Sequence, residues 1–192
     1  MLQKAIAIDG PSGAGKSTIA KLVAEELGFR YIDTGAMYRA CALKALRLSL
    51  DVNDEAAISA MVKGIEIRLG QKNGLPLIFL DGEDVTAAIR SAEVTRDVPI
   101  VCRYAEVREK MVEIQRGLAE NGGGSVMDGR DIGTNVLPRA MLKIFLTADV
   151  QERGRRRYAE WKAKGIAAEW SQEEIVADLI RRDQLDSNRE IN

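Results

Sequence analysis

The sequence predicts an α/β fold in which helices flank a parallel sheet, with a small antiparallel insertion. Short apolar runs at 5–9 and 29–32 each lead into a helical pattern. Strands that alternate with helices at this spacing form parallel sheets. Between about 50 and 103 the pattern changes to two strands around a hairpin signal. These observations favour one α/β domain that is interrupted by an antiparallel unit.

The first elements are predicted to be a strand, a loop and a helix. The first apolar run ends in a glycine-rich turn, and the helix that follows spans Lys16 to Leu27. Ile19, Val23 and Leu27 recur at helical spacing, which predicts an apolar stripe on this helix. The second strand, over 29–32, runs into a helix rich in alanine and leucine.

The insertion is predicted over residues 50–104. One helix comes first, and 65–69 and 75–80 then have strand character. Between these strands lies Asn73-Gly74, a strong hairpin signal. The expected division is a single domain over 1–192, with a core formed by 1–49 and 105–192.

The second half of the core is predicted to be helix, strand, strand and helix. Four apolar residues at helical spacing mark a long amphipathic helix, namely Val107, Met111, Ile114 and Leu118. That helix ends at Asn121 and the glycines that follow, and strands are expected over 125–128 and 142–146. The last quarter is helical and charged, and a capping box from Ser171 to Glu174 opens the final helix.

Composition excludes several classes of function. Lysine and arginine number 28 against 29 aspartates and glutamates, so no net basicity draws the molecule to a nucleic acid polymer or an anionic membrane. No apolar run approaches the roughly 20 residues that cross a bilayer, and the N-terminal stretch is too short and polar for a signal peptide. We expect a cytoplasmic protein.

The chain has no histidine, which removes the commonest general base and the commonest metal ligand. Its two cysteines, Cys41 and Cys102, lie in apolar helical sequence without metal-ligand or CxxC spacing. Buried free thiols are therefore expected, rather than a disulfide framework or a zinc site. Any catalysis should depend on positioning and electrostatics.

A phosphate-binding loop is the strongest motif in the sequence. Residues 10–17 match G-x-x-x-x-G-K-[ST] without a gap, after a predicted strand and before a helix, which is the context that the motif requires. The loop N–H groups would contact phosphate oxygens, Lys16 would bridge the β- and γ-phosphates, and Ser17 would bind Mg²⁺. The alternative, a flexible glycine-rich turn, is disfavoured by this context. The candidate ATP-binding residues are Gly10, Pro11, Ser12, Gly13, Ala14, Gly15, Lys16, Ser17 and Thr18.

This loop alone does not identify the class of P-loop protein. The chain lacks an Asn-Lys-x-Asp motif of the kind that reads guanine in GTPases, and it is small for a motor ATPase. Three segments together, 10–16, 33–39 and 128–134, resemble bacterial cytidylate kinases. The resemblance continues through 80–85, 143–146, Arg182-Asp183 and 186–189, and so covers essentially the whole chain.

The resemblance implies a P-loop nucleoside monophosphate kinase fold that uses MgATP to convert CMP or dCMP to the diphosphate. It implies roles for residues that bind CMP: Thr34, Tyr38 and Arg39 in the acceptor segment, Arg39 and Arg130 on phosphate, Arg108 and Asp131 on cytosine, and Arg182, Asp186 and Arg189 near the ribose and the transferring phosphates. It implies that Asp128 organises the waters of Mg²⁺, and that 149–168 form a lid whose arginines close over ATP. The implied catalytic set is Lys16, Asp128, Arg130, Arg153, Arg157 and Arg182.

The residues themselves leave alternatives open. Asp33 and Asp128 each end a predicted strand, where α/β sheets bind ligands, yet either could simply cap the next helix. Two sets of charged residues are each predicted to share a helix face: Arg182 with Asp186 and Arg189, and Arg153 with Arg156 and Arg157. Such stripes are also typical of solvated surfaces. A kinase for UMP, AMP or shikimate, and a regulator that binds ATP without turnover, are the competing functions.

Two features depart from the family pattern. Pro99 stands where cytidylate kinases usually place a serine that helps to read the base. Proline offers neither a side-chain donor nor a backbone N–H, so cytosine recognition is expected to be rearranged or looser. The family also continues beyond the point where this chain stops at Asn192, and we expect an edge strand of the sheet to be missing. A monomer is the default expectation.

Overall fold

The computed structural model describes residues 3–72, 75–120, 123–163 and 170–187. The strands are β1 (Gln3–Asp9), β2 (Arg30–Asp33), β3 (Ile67–Lys72), β4 (Leu75–Leu80), β5 (Glu83–Asp84), β6 (Ser125–Gly129) and β7 (Ala140–Phe145). The α-helices are α1 (Lys16–Leu27), α2 (Thr34–Arg47), α3 (Glu55–Lys63), α4 (Ala92–Val101), α5 (Ala105–Glu120), α6 (Val150–Ala163) and α7 (Gln172–Ser187). A short 3₁₀ helix spans Ala88–Arg90, and a π-helical turn spans Ile132–Val136.

The main sheet has the strand order β2-β6-β1-β7, and all of its pairs are parallel. The central strand β1 is apolar and buried from Ala5 to Ile8, as expected for a parallel strand with both faces covered. Asp33 pairs in register with Asp128, and Asp9 pairs with Gly129. The carboxyl ends of β1, β2 and β6 therefore meet at one edge of the sheet. The prediction of a parallel sheet is confirmed.

Helix α1 has the predicted bounds, but its buried face differs from the predicted stripe. Ile19 and Leu27 are exposed, and the fully buried apolar residues are Ala20 and Ala24. Two small side chains let the helix axis lie close to the sheet, where they pack against a cluster that includes Ile8. Val23 of the predicted stripe does pack against this cluster. The stripe prediction was wrong for Ile19 and Leu27, because hydrophobic spacing alone ignores the need for close approach.

Helix α2 is buried over most of its length. Its N-cap is Asp33, whose side chain accepts a hydrogen bond from the Ala36 N–H at 2.9 Å. For Asp33, the capping alternative is therefore the one that the structure bears out. Cys41 on α2 and Cys102 after α4 are both free and buried. Burial raises the pKa of the Cys41 thiol to about 12, and neighbouring Cys102 acts in the same direction.

The insertion contains the antiparallel sheet β3-β4-β5 with α3 and α4. Lys72 pairs with Leu75, as the predicted hairpin requires, and the turn itself (73–74) lies outside the described residues. One apolar cluster joins the insertion to α2 and α5 and includes Ile58, Ile78 and Met111. The insertion thus packs against the core through continuous apolar contact, and its bounds at 50–104 stay a prediction.

Pro99 lies inside α4. The helix continues past it, since the Cys102 N–H donates to the Val98 carbonyl at 2.9 Å. Because proline has no N–H, the helix lacks one backbone hydrogen bond at this position. The carbonyl four residues before Pro99 is therefore left without its usual helical donor. The departure from the family pattern therefore changes the hydrogen bonding of α4 without ending the helix.

Helices α6 and α7 pack closely against each other. A Cβ at Gly154 would lie 2.3 Å from Val176 Cγ2, so only glycine permits this helix spacing. Trp161 and Trp170 make an edge-to-face contact with ring centroids 5.8 Å apart. The predicted capping box is confirmed: the Glu174 side chain accepts from the Ser171 N–H at 2.7 Å, and the Ser171 hydroxyl accepts from the Glu174 N–H at 3.2 Å.

Strand β7 forms one edge of the main sheet within the part of the chain that the structure describes. Three of its apolar side chains, Met141, Leu142 and Phe145, are exposed, and Phe145 is 71% accessible. Among the described helices, none combines the length and apolar character needed to cross a membrane.

Candidate active site

The phosphate loop connects β1 to α1 through three glycines with positive φ, Gly10, Gly13 and Gly15. A Cβ at Gly10 would lie 1.9 Å from the Leu146 carbonyl oxygen, so the loop can leave the sheet here only with glycine. Gly15 holds the N-cap position of α1 with φ 95°. The backbone N–H groups at this helix start are free of intrahelical partners, which is the property that binds phosphate oxygens.

Lys16 folds back over the loop. Its ammonium donates to the Pro11 carbonyl at 2.8 Å. Burial lowers the pKa of Lys16 to about 7, and the nearby Arg130 charge acts in the same direction, whereas Asp128 opposes the shift. The ammonium is thus poorly solvated, and negatively charged phosphate oxygens would favour its protonated form. A buried cation that nearby carboxylates compensate only in part is suited to binding an anion.

Asp128, at the end of β6, is the centre of a hydrogen-bonded group. Its Oδ2 accepts from the Ser17 hydroxyl at 2.8 Å, and its Oδ1 accepts from the Tyr31 phenol at 2.9 Å. Burial and the charge of Asp33 raise the pKa of Asp128, while the two hydroxyl donors and Lys16 lower it. Asp128 therefore does not serve as a helix cap, and it contacts the loop residue that the motif assigns to Mg²⁺.

The donor atoms at this point fit Mg²⁺. Mg²⁺ prefers oxygen ligands, keeps several waters and is completed by substrate phosphates, so one hydroxyl and one carboxylate from the protein suffice. The Ser17 hydroxyl and the Asp128 carboxylate lie beside each other at the start of α1. Within the described ranges no cluster of three or more His, Cys, Asp or Glu side chains could hold a metal by itself.

Two further residues support this edge and were not predicted. Tyr31 contributes the second hydroxyl on Asp128, and Asp9 accepts from the N–H groups of Ile132 and Gly133, each at 2.8 Å. Burial raises the pKa of Asp9 and of Tyr31. Each sits at or near the end of a strand, and that position was the signal that could have identified them.

The segment after β6 positions the residues predicted to read cytosine. Arg108 on α5 and Asp131 form a buried ion pair at 2.7 Å, and the Asn135 amide donates to the same Asp131 oxygen at 3.1 Å. The Thr34 hydroxyl donates to the Asp128 carbonyl at 2.6 Å and so ties the start of α2 to this segment. The structure brings these predicted residues together.

Arg39 extends from α2 toward the insertion. Its guanidinium donates to the Thr95 hydroxyl at 2.8 Å and to the Ile89 carbonyl at 3.3 Å. Burial lowers the pKa of Arg39 to about 10, and the charges of Arg182, Arg90 and Arg157 add to this effect. Arginines from α2, α6 and α7 therefore face one space. Tyr38, one residue earlier, is half-buried against the apolar cluster of the insertion.

The remaining predicted arginines are held by carboxylates or by the phosphate loop. Arg130 pairs with Asp186 at 2.7 Å, and Arg182 pairs with Asp178 at 2.7 Å. Arg157 on α6 donates to the Ser12 hydroxyl at 3.1 Å. These contacts join α7, α6 and the segment after β6 around the phosphate loop.

Arg153 has a different environment from the one that its place in a lid suggests. It is buried and donates to the Ala148 and Ser12 carbonyls at 3.0 and 2.9 Å and to the Asp183 carboxylate at 2.7 Å. Its guanidinium thus connects the phosphate loop to α7. The shared face predicted for Arg153, Arg156 and Arg157 was wrong in part, because Arg156 is 52% exposed and pairs with Glu152. Arg189 lies outside the described residues.

Comparison with known proteins identifies the family. The family model described as cytidylate kinase matches residues 6–192. The chain belongs to the cytidylate kinase family. The cytidylate kinase of Pelotomaculum thermopropionicum is 52% identical over 186 residues, which cover 96% of this chain and 80% of that protein. The cytidylate kinase of Desulfitobacterium hafniense (strain Y51) is 54% identical over 187 residues, which cover 97% and 79%.

Membership in the family confirms the resemblance inferred from the phosphate loop and the segments at 33–39 and 128–134. Among solved structures, the shikimate kinase from Bacteroides thetaiotaomicron aligns at a TM-score of 0.49 and 15% identity over 96% of this chain and 80% of that one. A likeness this distant adds nothing to the choice of substrate. The assignment rests on the cytidylate kinases.

Proposed function

We propose that the protein transfers the γ-phosphoryl group of MgATP to the phosphate of CMP or dCMP, giving ADP and CDP or dCDP. The observation that supports this most directly is the group formed by the phosphate loop, Ser17 and Asp128, which faces arginines from three other elements. Membership in the cytidylate kinase family indicates that the acceptor is CMP or dCMP.

On the donor side, the N–H groups of residues 10–18 would bind the phosphates of ATP, with Lys16 between the β- and γ-phosphates. Ser17 would hold Mg²⁺ directly, and Asp128 would hold it through water. When bound, Mg²⁺ would neutralise the negative charge that develops on the phosphate oxygens during transfer. Lys16 and the arginines would provide the remaining positive charge.

On the acceptor side, Arg39 and Arg130 would bind the phosphate of CMP, beside Thr34 and Tyr38. Arg39 is already held toward the insertion by Thr95, which leaves its remaining N–H groups for a ligand. The buried pair of Arg108 and Asp131 presents both a donor and an acceptor, the combination that the Watson–Crick edge of cytosine requires. Asp186 and Arg189 complete the proposed CMP site.

The transfer needs no general base, because the acceptor oxygen belongs to a phosphate that is already ionised at neutral pH. The γ-phosphoryl group would move in line between two oxygens, and no covalent enzyme intermediate forms. Arg157 and Arg182 would stabilise the negative charge on the equatorial oxygens by forked hydrogen bonds. Arg153 would contribute to catalysis by positioning the phosphate loop, because it donates to the Ser12 carbonyl. Closure of a lid over 149–168 would exclude water.

The first test is ADP formation from MgATP with CMP, dCMP, UMP and AMP offered separately. We expect rapid turnover with CMP and dCMP and weak turnover with UMP and AMP. Because Pro99 removes a donor expected near the base, the ratio of CMP to UMP turnover measures how far recognition is loosened. Turnover that favours another acceptor, or ATP binding without acceptor-dependent turnover, would contradict the proposal.

For the remaining properties we propose a cytoplasmic monomer that acts on free nucleotides and binds neither nucleic acid polymers nor membranes. The near balance of 28 basic and 29 acidic residues supports this proposal. Gel filtration of the purified protein tests the oligomeric state.

A further inference from the structure

We infer that Tyr31 is a positioning residue for the magnesium site: its phenol fixes the plane of the Asp128 carboxylate and thereby sets the affinity of the enzyme–ATP complex for Mg²⁺. The inference rests on the proposed function, because it concerns the same metal site. It assigns a role to a residue outside the phosphate loop and outside the arginine group.

Sheet register places the phenol at this carboxylate. Asp33 pairs with Asp128, and Tyr31 lies two residues before Asp33 on β2. Side chains two apart on a strand share a face, so Tyr31 and Asp128 are diagonal neighbours on one face of the sheet, within reach of an aromatic side chain. The 2.9 Å hydrogen bond from the phenol to Asp128 Oδ1 realises this arrangement.

The two oxygens of Asp128 are held by different residues. Ser17 donates to Oδ2 at 2.8 Å and Tyr31 donates to Oδ1 at 2.9 Å. A carboxylate held at one oxygen can turn about its Cβ–Cγ bond, whereas donors at both oxygens fix its plane. Asp128 is only 5% accessible, so bulk water cannot easily replace a lost donor. The remaining lone pairs of the carboxylate are thereby aimed in one direction.

The Tyr31 ring is held independently of its hydroxyl. It packs against the apolar cluster beneath α1, and the Lys21 ammonium lies 5.6 Å from the ring centroid. A phenylalanine would keep these contacts and lose only the hydrogen bonding of the hydroxyl, which involves Asp128 and Ser17. The hydroxyl can therefore be tested separately from the packing of the ring.

Hydrogen-bond partners behind metal-binding groups typically change metal affinity by roughly 10- to 100-fold. We expect Tyr31→Phe to weaken the affinity of the enzyme–ATP complex for Mg²⁺ by about tenfold. The affinity for ATP in EDTA and the affinity for CMP should stay within about twofold of the wild type, because neither involves the Asp128 plane. A residue that only supports the fold would not produce this separation.

The experiment is calorimetric titration of the full chain with ATP in EDTA and over a series of Mg²⁺ concentrations, together with thermal unfolding. Tyr104→Phe is the matched control, because its phenol likewise donates to an acceptor distant in sequence, the Val52 carbonyl at 2.8 Å, in the cluster of the insertion. We expect this control to lose a similar amount of stability and to keep the Mg²⁺ dependence of the wild type.

Three outcomes would overturn the inference. If Tyr31→Phe keeps the wild-type Mg²⁺ dependence, the hydroxyl does not position Asp128. If Tyr31→Phe weakens every affinity to the same extent, its role is general support of the fold. Where Tyr31→Phe is obtained only in unfolded form, Tyr31→Leu, which also lacks the hydroxyl, takes its place in the same comparison. If the wild type itself shows no Mg²⁺ dependence, the proposed metal site is also wrong, and this result separates the two failures.

Discussion

The phosphate loop and the arginine cluster face the same space, but they are built in different ways. The loop is one continuous segment, and its shape depends on glycines at fixed positions and on the start of α1. The arginine cluster, by which we mean Arg39, Arg130, Arg157 and Arg182, is drawn from α2, the segment after β6, α6 and α7. Each of its members is held by a group on the same or another element.

This difference separates a site formed by backbone geometry from one formed by balanced charge. The loop N–H groups need only the local conformation, so they are preorganised before a nucleotide binds. Burial lowers the pKa of Arg39 and of Arg157, and repulsion from neighbouring arginines lowers each pKa further. Carboxylates on α7 offset part of that repulsion, and phosphates would offset more of it. We therefore expect loop variants to affect chemistry, variants of Arg39 and Arg130 to affect mainly the acceptor, and variants of Arg157 and Arg182 to lower turnover.

The largest effect is expected for Lys16→Met. This change removes the cation that the loop holds between the β- and γ-phosphates, and loss of one such charged donor costs about 10³-fold in kcat. Steady-state ADP formation measures the effect. Lys63→Met, an exposed lysine on α3, is the control and should keep wild-type turnover. Nearly intact turnover in Lys16→Met would show that the loop does not act through this charge.

A smaller and more selective effect is expected for Arg130→Met. The acceptor phosphate loses one guanidinium, so kcat/KM for CMP should fall by about 10²-fold, while the affinity for ATP in the absence of CMP stays near that of the wild type. Varying each substrate at a saturating level of the other separates the effect on CMP from the effect on ATP. An equal loss for ATP and CMP would mean that Arg130 also binds the donor. The assignment of Arg130 to the acceptor site would then be wrong.

The smallest effect is expected for Arg156→Ala. Its guanidinium is 52% exposed and pairs with Glu152, an arrangement worth about 0–1 kcal/mol. Turnover and the free energy of unfolding should both stay close to wild-type values. Arg157→Ala, one residue further, should lower turnover about tenfold or more because it removes a charge from the cluster. Similar losses in both variants would show that α6 acts as a general source of positive charge.

Sequence patterns predicted the parts of the fold that depend on local signals. The bounds of α1 followed from the glycine-rich turn before it, and the hairpin of β3 and β4 followed from Asn73-Gly74. The buried face of α1 was not predictable from hydrophobicity, because Ala20 and Ala24 are selected by the distance between helix and sheet. Local periodicity contains no information about that distance.

The site likewise contains residues that local sequence signals predict and residues that they do not. The phosphate loop and Asp128 lie at motif or strand-end positions, so they could be named from the sequence. Tyr31 and Asp9 also lie at or near strand ends, but their roles depend on contacts with partners about 100 or more residues away, which strand order and register decide. Arg153 and Arg156 are three residues apart on one helix, yet one is buried and the other exposed. The positions of α7 and of the phosphate loop decide between them.

The contact between Trp161 and Trp170 has a spectroscopic consequence. The chain contains two tryptophans, and both lie where α6 ends and α7 is about to begin. Indole emission from the unlabelled enzyme therefore comes entirely from this junction. Rapid mixing with ATP, CMP or both would follow the junction in real time, and no dye would have to be attached to a surface that the substrates need.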